Sequence, residues 1–194
     1  GKVPAVTLRK TVFKHLGVKR KEVLLGPSLG EDGSIVKIGG KVLISAMDPI
    51  TGSSERIGWL AVHINANDVA TFGVHPAFFS SCILLPENST EDTVKRICRQ
   101  IDDAAKDLDI AVIGGHSEVT PSLGRPIIVG CAMGVTESGK YVTSGGSKPG
   151  DKLILTKGAG IEGTAILASE AYSQLRKSID EKALRSAIKL YDRI

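Results

Sequence analysis

Two glycines inside a β-rich run constrain this chain more than any other feature. In SIVKIGGKVLISAMDPI, residues 34–50, two apolar, β-branched runs meet at Gly39-Gly40. Both central positions of a two-residue hairpin turn can require positive φ, which glycine adopts without a Cβ penalty. The turn sets the register: Ile38 opposite Lys41, Val36 opposite Leu43, Asp32 opposite Met47. Asp32 and Asp48 therefore emerge at the same open end, one residue out of register. Strict alternation sends them to opposite faces, so their convergence needs a bulge or a strand end near Gly33 or Pro49.

Around the hairpin the pattern alternates between strand and helix. Residues 4–16 have helical spacing, with Val6, Val12, Phe13 and Leu16 on one side. LLGPSLGEDG, residues 24–33, carries Gly26, Gly30, Gly33 and Pro27 and reads as a loop. GWLAVHINANDVAT, residues 58–71, reads as a helix whose small residues Ala61, Ala66 and Ala70 permit close packing. The strand FFSSCILL follows. Ser89 or Thr90 can then cap a helix running to about Leu108, with Val94, Ile97, Ile101 and Ala105 as its buried stripe. IAVIGG and PIIVGCAMGV are the next strands. SGGSKPGD, residues 144–151, is polar, glycine-rich and broken by Pro149, and is the best linker in the chain. Beyond it KLILTKGAGIEGTAILASEAY reads as strand, glycine turn and helix, and EKALRSAIKLYDRI as a second helical stretch. The expected organisation is an N-terminal α/β domain over 1–143, a linker at 144–151, and at 152–194 the beginning of a second domain with most of its sheet missing.

Composition narrows the class of partner. At 42% hydrophobic and 24% charged, the chain is ordinary globular material. No run approaches the roughly 20 apolar residues of a membrane helix, and no signal peptide opens the sequence, so a cytoplasmic protein without a membrane partner is expected. Cys82, Cys98 and Cys131 form no C-x-x-C pair and are expected to be reduced and buried. A net charge of +4 with 4% aromatic residues and no aromatic-basic interleaving argues against nucleic acid.

Asp32, Asp48 and Asp68 fall at element ends, and Glu118 follows the paired glycines of VIGGHSEVTP, residues 112–121. Like charges brought together raise one another's pKa unless a cation neutralises them. A hard ion such as Mg²⁺ wants oxygen ligands, usually one or two carboxylates with phosphate oxygens and water. The bland alternative is that these aspartates cap helices or form turns.

Taken in order, GEDGSIV, then DPITG with IGWLAVHINANDVATFGVHP, then VIGGHSEVTP resemble the ATP-dependent superfamily of aminoimidazole ribonucleotide synthase. Selenophosphate synthetase, thiamine-monophosphate kinase and the hydrogenase-maturation carbamoyl dehydratase are other members. Asp48-Pro49 and the helix at 58–71 are most similar to the hydrogenase-maturation branch and to uncharacterised synthase-related proteins. The resemblance covers about residues 25–160. It implies an α/β fold (α+β in layout) whose mixed N-terminal sheet pairs with that of a second subunit in a homodimer, followed by an α/β C-terminal domain. It also implies ATP and Mg²⁺ as cofactors and a small-molecule substrate, with a protein partner if the branch is the hydrogenase-maturation one. By motif match Asp32, Asp48 and Asp68 would hold the metal. Gly30, Asn67, Gly114 and Gly115 would join those aspartates around the nucleotide, and His116 and Glu118 would act in catalysis. His116 departs from the family, where an acidic residue follows the paired glycines; imidazole is a poor Mg²⁺ ligand, and Glu118, two residues on, would supply the missing carboxylate. The chemistry implied is phosphoryl transfer to a carbonyl, amide or phosphate-bearing substrate. A non-catalytic nucleotide- or metabolite-binding homologue is the alternative.

GAGIEG, residues 158–163, also matches the dinucleotide fingerprint G-x-G-x-x-G, with Asp180 as the distal acid. Asp180 follows a helix instead of ending a second strand, so the oxidoreductase reading is the weaker one. His63 shares a helix face with Asn67, as site neighbour or packed residue, and Trp59 is expected at an interface or in the core.

Overall fold

The computed structural model describes residues 2–194. Its centre is one mixed sheet of six strands in the order β1-β2-β3-β6-β4-β5. The strands are β1 (Val23–Leu25), β2 (Gly33–Ile38), β3 (Lys41–Ile50), β4 (Pro76–Leu85), β5 (Ala111–Val119) and β6 (Ile127–Glu137). The hairpin has the register that its glycines dictate, from Ile38 opposite Lys41 to Gly33 opposite Ala46. All neighbours are antiparallel except β4 and β5, which are joined by a helical crossover.

Helices α2 (Ile57–Ala70) and α3 (Glu91–Asp107) cover one face of the sheet. Val42, Ile44 and Ala46 of β3, Phe79 and Ile83 of β4, and Ile128 and Ala132 of β6 point into that core. α2 is buried on more than one side, against the sheet and against α3, which is why its sequence is apolar nearly all round. Gly58 permits the contact with α3, because a Cβ there would lie 2.5 Å from the Ile97 carbonyl oxygen. α3 is amphipathic and buries Ile97, Ile101, Ala104 and Ala105. Of its two candidate caps the structure uses Thr90, whose hydroxyl accepts from the Thr93 N–H at 3.3 Å. Thr90→Ala is expected to lower stability by about 1 kcal/mol, read as a small shift of the urea midpoint.

Several expectations need correction. The N-terminal helix is short, α1 (Ala5–Lys10), with a separate 3-10 turn at Val12–Lys14; Val6, Val12 and Leu16 are exposed, and of the expected apolar side Phe13 alone is half-buried. KLILT forms no strand. Leu153, Ile154 and Leu155 lie almost fully exposed in irregular chain, because a strand needs neighbours and residues 152–194 supply none. After them come α4 (Ile161–Glu170), α5 (Tyr172–Leu175), α6 (Glu181–Ile188) and a 3-10 turn at Lys189–Arg193. The cysteines are free, but Cys98 is exposed and Cys82 and Cys131 are only half-buried. No helix among the described residues is long and apolar enough to cross a membrane.

Opposite α2 and α3 the sheet is uncovered. Met47, Phe78 and Val135 are exposed there, alongside the half-buried Val129, Cys131 and Met133.

Candidate functional site

β2 begins at Gly33, opposite Ala46, so β3 continues past its neighbour and one edge of it has no strand partner beyond that point. Asn65 of α2 fills the gap. It is fully buried. Its Oδ1 accepts from the Asp48 N–H at 2.7 Å, and its Nδ2 donates to the Asp48 carbonyl at 3.2 Å and the Ala61 carbonyl at 2.8 Å. The amide thus acts as a substitute peptide group, satisfying the backbone at Asp48 and fixing where its carboxylate starts. Gly130 of β6 leaves room for it, because a Cβ there would collide with Asn65 Nδ2.

One helical turn on from Asn65, α2 presents Asp68. Burial, and then the charges of Asp48 and Asp32, push its pKa up to about 7. Glu162, in the first turn of α4, is also raised, by burial and then by the Asp48 charge. Asp68 therefore senses the other two aspartates read from the sequence, and Glu162, from the C-terminal segment, acts on it as well. Among the described residues, no group of three or more acidic, histidine or cysteine side chains is close enough to hold an ion unaided. Such an arrangement fits a hard cation that shares one or two carboxylates with a ligand's own oxygens; it does not fit a closed protein cage. Asp32 is half exposed, and its ion pair among the described residues is with Lys2, at 3.8 Å, a contact worth little in water.

The glycine loop closes beside this acidic face. Gly30 has φ +87°, and next to it Glu31 accepts from the Ser144 hydroxyl at 2.7 Å, tying the loop to the linker. A hollow of about 220 Å³ lies between Gly30, Asp32, Thr71, Phe72 and Ser144. Asn67 is half-buried on α2; the hydrogen bonding to Asp48 falls to Asn65.

His116 and Glu118 lie elsewhere. β5 does not end at Gly114-Gly115 but runs on to Val119. Registers place Asp48 beside Gly130, Gly130 beside Ser81, and Ser81 beside Gly115, so the two ends of that row are about 14 Å apart. His116 and Glu118 alternate with Gly115 and project from the uncovered face, so a single chain does not bring them to the aspartates. They pair with each other, Nε2 to Oε2 at 3.1 Å, and the Thr120 hydroxyl donates to Glu118 at 2.8 Å. That hydroxyl, then His116, holds the Glu118 pKa low. Both glycines have φ near +155°. At Gly115 the close approach is to a neighbouring strand, since a Cβ would collide with the Ser81 carbonyl.

His63 is buried and stacked on Trp59, ring centroids 3.6 Å apart, and burial lowers its pKa. It is a packed residue. Asn65 and Glu162 join the site from outside the motif-matched residues. Asn65 had a signal, as a polar residue between Ala61 and Val69 on a buried stripe at four-residue spacing.

A family model described as AIR synthase related protein, N-terminal domain, matches residues 30–136, more than half of the chain. A Methanocaldococcus jannaschii protein named for hydrogenase expression and formation is 27% identical over 87% of this chain and 52% of its own length. A selenide, water dikinase of Myxococcus xanthus is 28% identical over 91% of this chain and 51% of its own. The chain thus spans about half the length of these relatives. Among solved structures, AaThiL complexed with AMPPCP and TMP superposes with a TM-score of 0.69 at 22% identity, covering 97% of this chain and 57% of that one. At that identity the likeness shows a shared fold.

Proposed function

This chain belongs to the AIR synthase related family, and from that premise we propose that it is part of an ATP- and Mg²⁺-dependent enzyme that activates a small carbonyl-, amide- or phosphate-bearing substrate by phosphoryl transfer. The observation that carries the reading is Asp68, raised to about 7 by burial and by the charges of Asp48 and Asp32. A protein that holds carboxylates in mutual repulsion is stabilised by a divalent cation that neutralises them. Asp48 and Asp68, with Asp32 at the loop, would hold Mg²⁺ against the phosphates. The loop around Gly30, which leads into Asp32, would cover the nucleotide. Bound Mg²⁺ would neutralise the charge of the transferred phosphoryl group. The chain's own part is to fix Asp48 through Asn65 and to keep the acidic face partly shielded from water.

Pairing of two copies through the uncovered sheet face would bury Met47, Phe78 and Val135 in a homodimer. His116 and Glu118 project from that face, and there the pair could act on substrate. A second reading, binding without turnover, is favoured by the separation of that pair from the aspartates within one chain.

Calorimetric titration with ATP tests the proposal. Affinity is expected to fall at least tenfold when Mg²⁺ is omitted, and by a similar factor in Asp48→Asn and Asp32→Asn with Mg²⁺ present. Unchanged affinity in both variants refutes the metal site. Binding without release of ADP or phosphate across a panel of small acids and amides selects the second reading.

A further inference from the structure

Loop 51–56, between β3 and α2, aims three donors at one atom. The Ser53 hydroxyl at 3.3 Å, the Ser54 N–H at 2.6 Å and the Glu55 N–H at 3.2 Å all donate to Glu170 Oε1, at the end of α4. The loop is held from behind. Arg96 of α3 donates to the Ser54 and Glu55 carbonyls at 2.9 and 3.0 Å, and Gln100 donates to the Glu55 carbonyl at 2.5 Å. In a trans peptide the N–H points opposite to the C=O, so fixing the Ser54 carbonyl toward α3 turns the Glu55 N–H toward Glu170. The loop also leads into the N-terminus of α2, where the helix dipole favours negative charge.

One donor in this cluster is unused. Tyr191 is 1% exposed, and its hydroxyl, beside Ser53 and Ser169, makes no hydrogen bond of ordinary geometry to either. An unpaired buried hydroxyl costs about 1–3 kcal/mol, so a native fold that keeps one asks what would pair with it. The planar Glu170 carboxylate spends a single oxygen on three donors. A tetrahedral oxyanion directs oxygens along further axes and can also accept from Tyr191. The Arg56 guanidinium lies 4.5 Å from the Trp59 ring centroid and 5.0 Å from that of Tyr191, and is paired with Asp192 at 3.1 Å, so a cation is already in place. The Glu55 carboxylate stays at the rim of this cluster, where it accepts from the Ser169 hydroxyl.

We propose that Ser53, the Ser54 and Glu55 N–H groups and Tyr191 form a binding site for a phosphate-type oxyanion, with Glu170 the internal occupant that such a ligand displaces. Glu170 ends α4, and Tyr191 and Asp192 belong to the last 3-10 turn, so entry of the ligand loosens the C-terminal segment from α2. No part of this depends on the metal-nucleotide reading.

The single tryptophan, Trp59, stacks on Arg56 and His63 and reports the event by fluorescence. The full chain is titrated without Mg²⁺ or nucleotide, using inorganic phosphate, glycerol phosphate and acetate at matched ionic strength. A saturable phosphate response is expected, about tenfold tighter in Glu170→Gln and at least tenfold weaker in Tyr191→Phe. Tyr191→Phe removes only the unpaired hydroxyl, so its thermal midpoint should equal or exceed that of the parent chain. Tighter glycerol phosphate identifies an esterified ligand, and equal affinity a free one; both support the site. Absence of a saturable response in both the parent chain and Glu170→Gln overturns the proposal. So does unaltered phosphate affinity in Tyr191→Phe, or acetate binding as well as phosphate. Retention of the phosphate response in Asp48→Asn would show that this site stands or falls apart from the acidic face.

Discussion

Asn65→Leu is expected to destabilise the protein by about 3 kcal/mol, seen as a large drop in the urea midpoint with little change in slope. Leucine shares the branched four-atom outline of asparagine, with bulkier methyl ends, but returns none of its three hydrogen bonds, so the half-buried Asp48 N–H and carbonyl are left unpaired. The edge of β3 at Asp48 has no strand to take over, because β2 has already ended opposite Ala46. Gly130→Ala attacks the same contact from the other side. Its methyl would strike the Asn65 amide and come within 2.9 Å of the Phe79 ring and 3.0 Å of the Ala61 carbonyl, at a cost of about 2 kcal/mol. Because both changes act on one amide, Asn65→Ala combined with Gly130→Ala should cost less than the sum of the two alone. Strict additivity, or an Asn65→Leu protein that unfolds at the parental midpoint, would show that the clamp is not what holds β3 there.

The same residues show how far the sequence could be read. Gly39-Gly40 determined the hairpin register because a two-residue turn admits few backbones, and the structure repeats that register pair by pair. The helix at Ile57–Ala70 and the stripe of α3 were legible because their periodicity is local. What escaped depended on contacts between segments distant along the chain. Glu162 is more than ninety residues from Asp68, and nothing in GAGIEG announces that its acid faces an aspartate on α2. Gly114-Gly115 suggested a loop, yet the strand continues, since extended backbone with φ near +155° is open to glycine alone and lets β5 lie tight against β4. KLILT satisfies every local rule for a strand and still forms none, because pairing is a property of neighbours.

Asp68 gives the prediction with the clearest sign. Its pKa is about 7 in the folded chain and near 3.8 when exposed, so between those values the folded state holds a proton that the unfolded state has released. The stabilisation is complete below about pH 4 and is lost as pH rises through 7. Metal-free protein should therefore weaken between about pH 4 and 7 and level off above, and Glu162, raised by burial and by the Asp48 charge, adds to the slope. Asn stays neutral at every pH and keeps the size of the acid. Asp68→Asn should accordingly flatten the profile and leave the variant more stable than the parent at pH 8 by about 1–2 kcal/mol, after allowance for screening at a half-buried site. Saturating Mg²⁺ with ATP reverses the order under the proposed function: the cation pairs with ionised Asp68 and lifts the parent at pH 8, while the variant gains little. Thermal midpoints across pH, with and without Mg²⁺ and ATP, read both effects. Parallel profiles for parent and variant would mean that Asp68 ionises as an ordinary surface carboxylate, and the repulsion on which the acidic face rests would be absent.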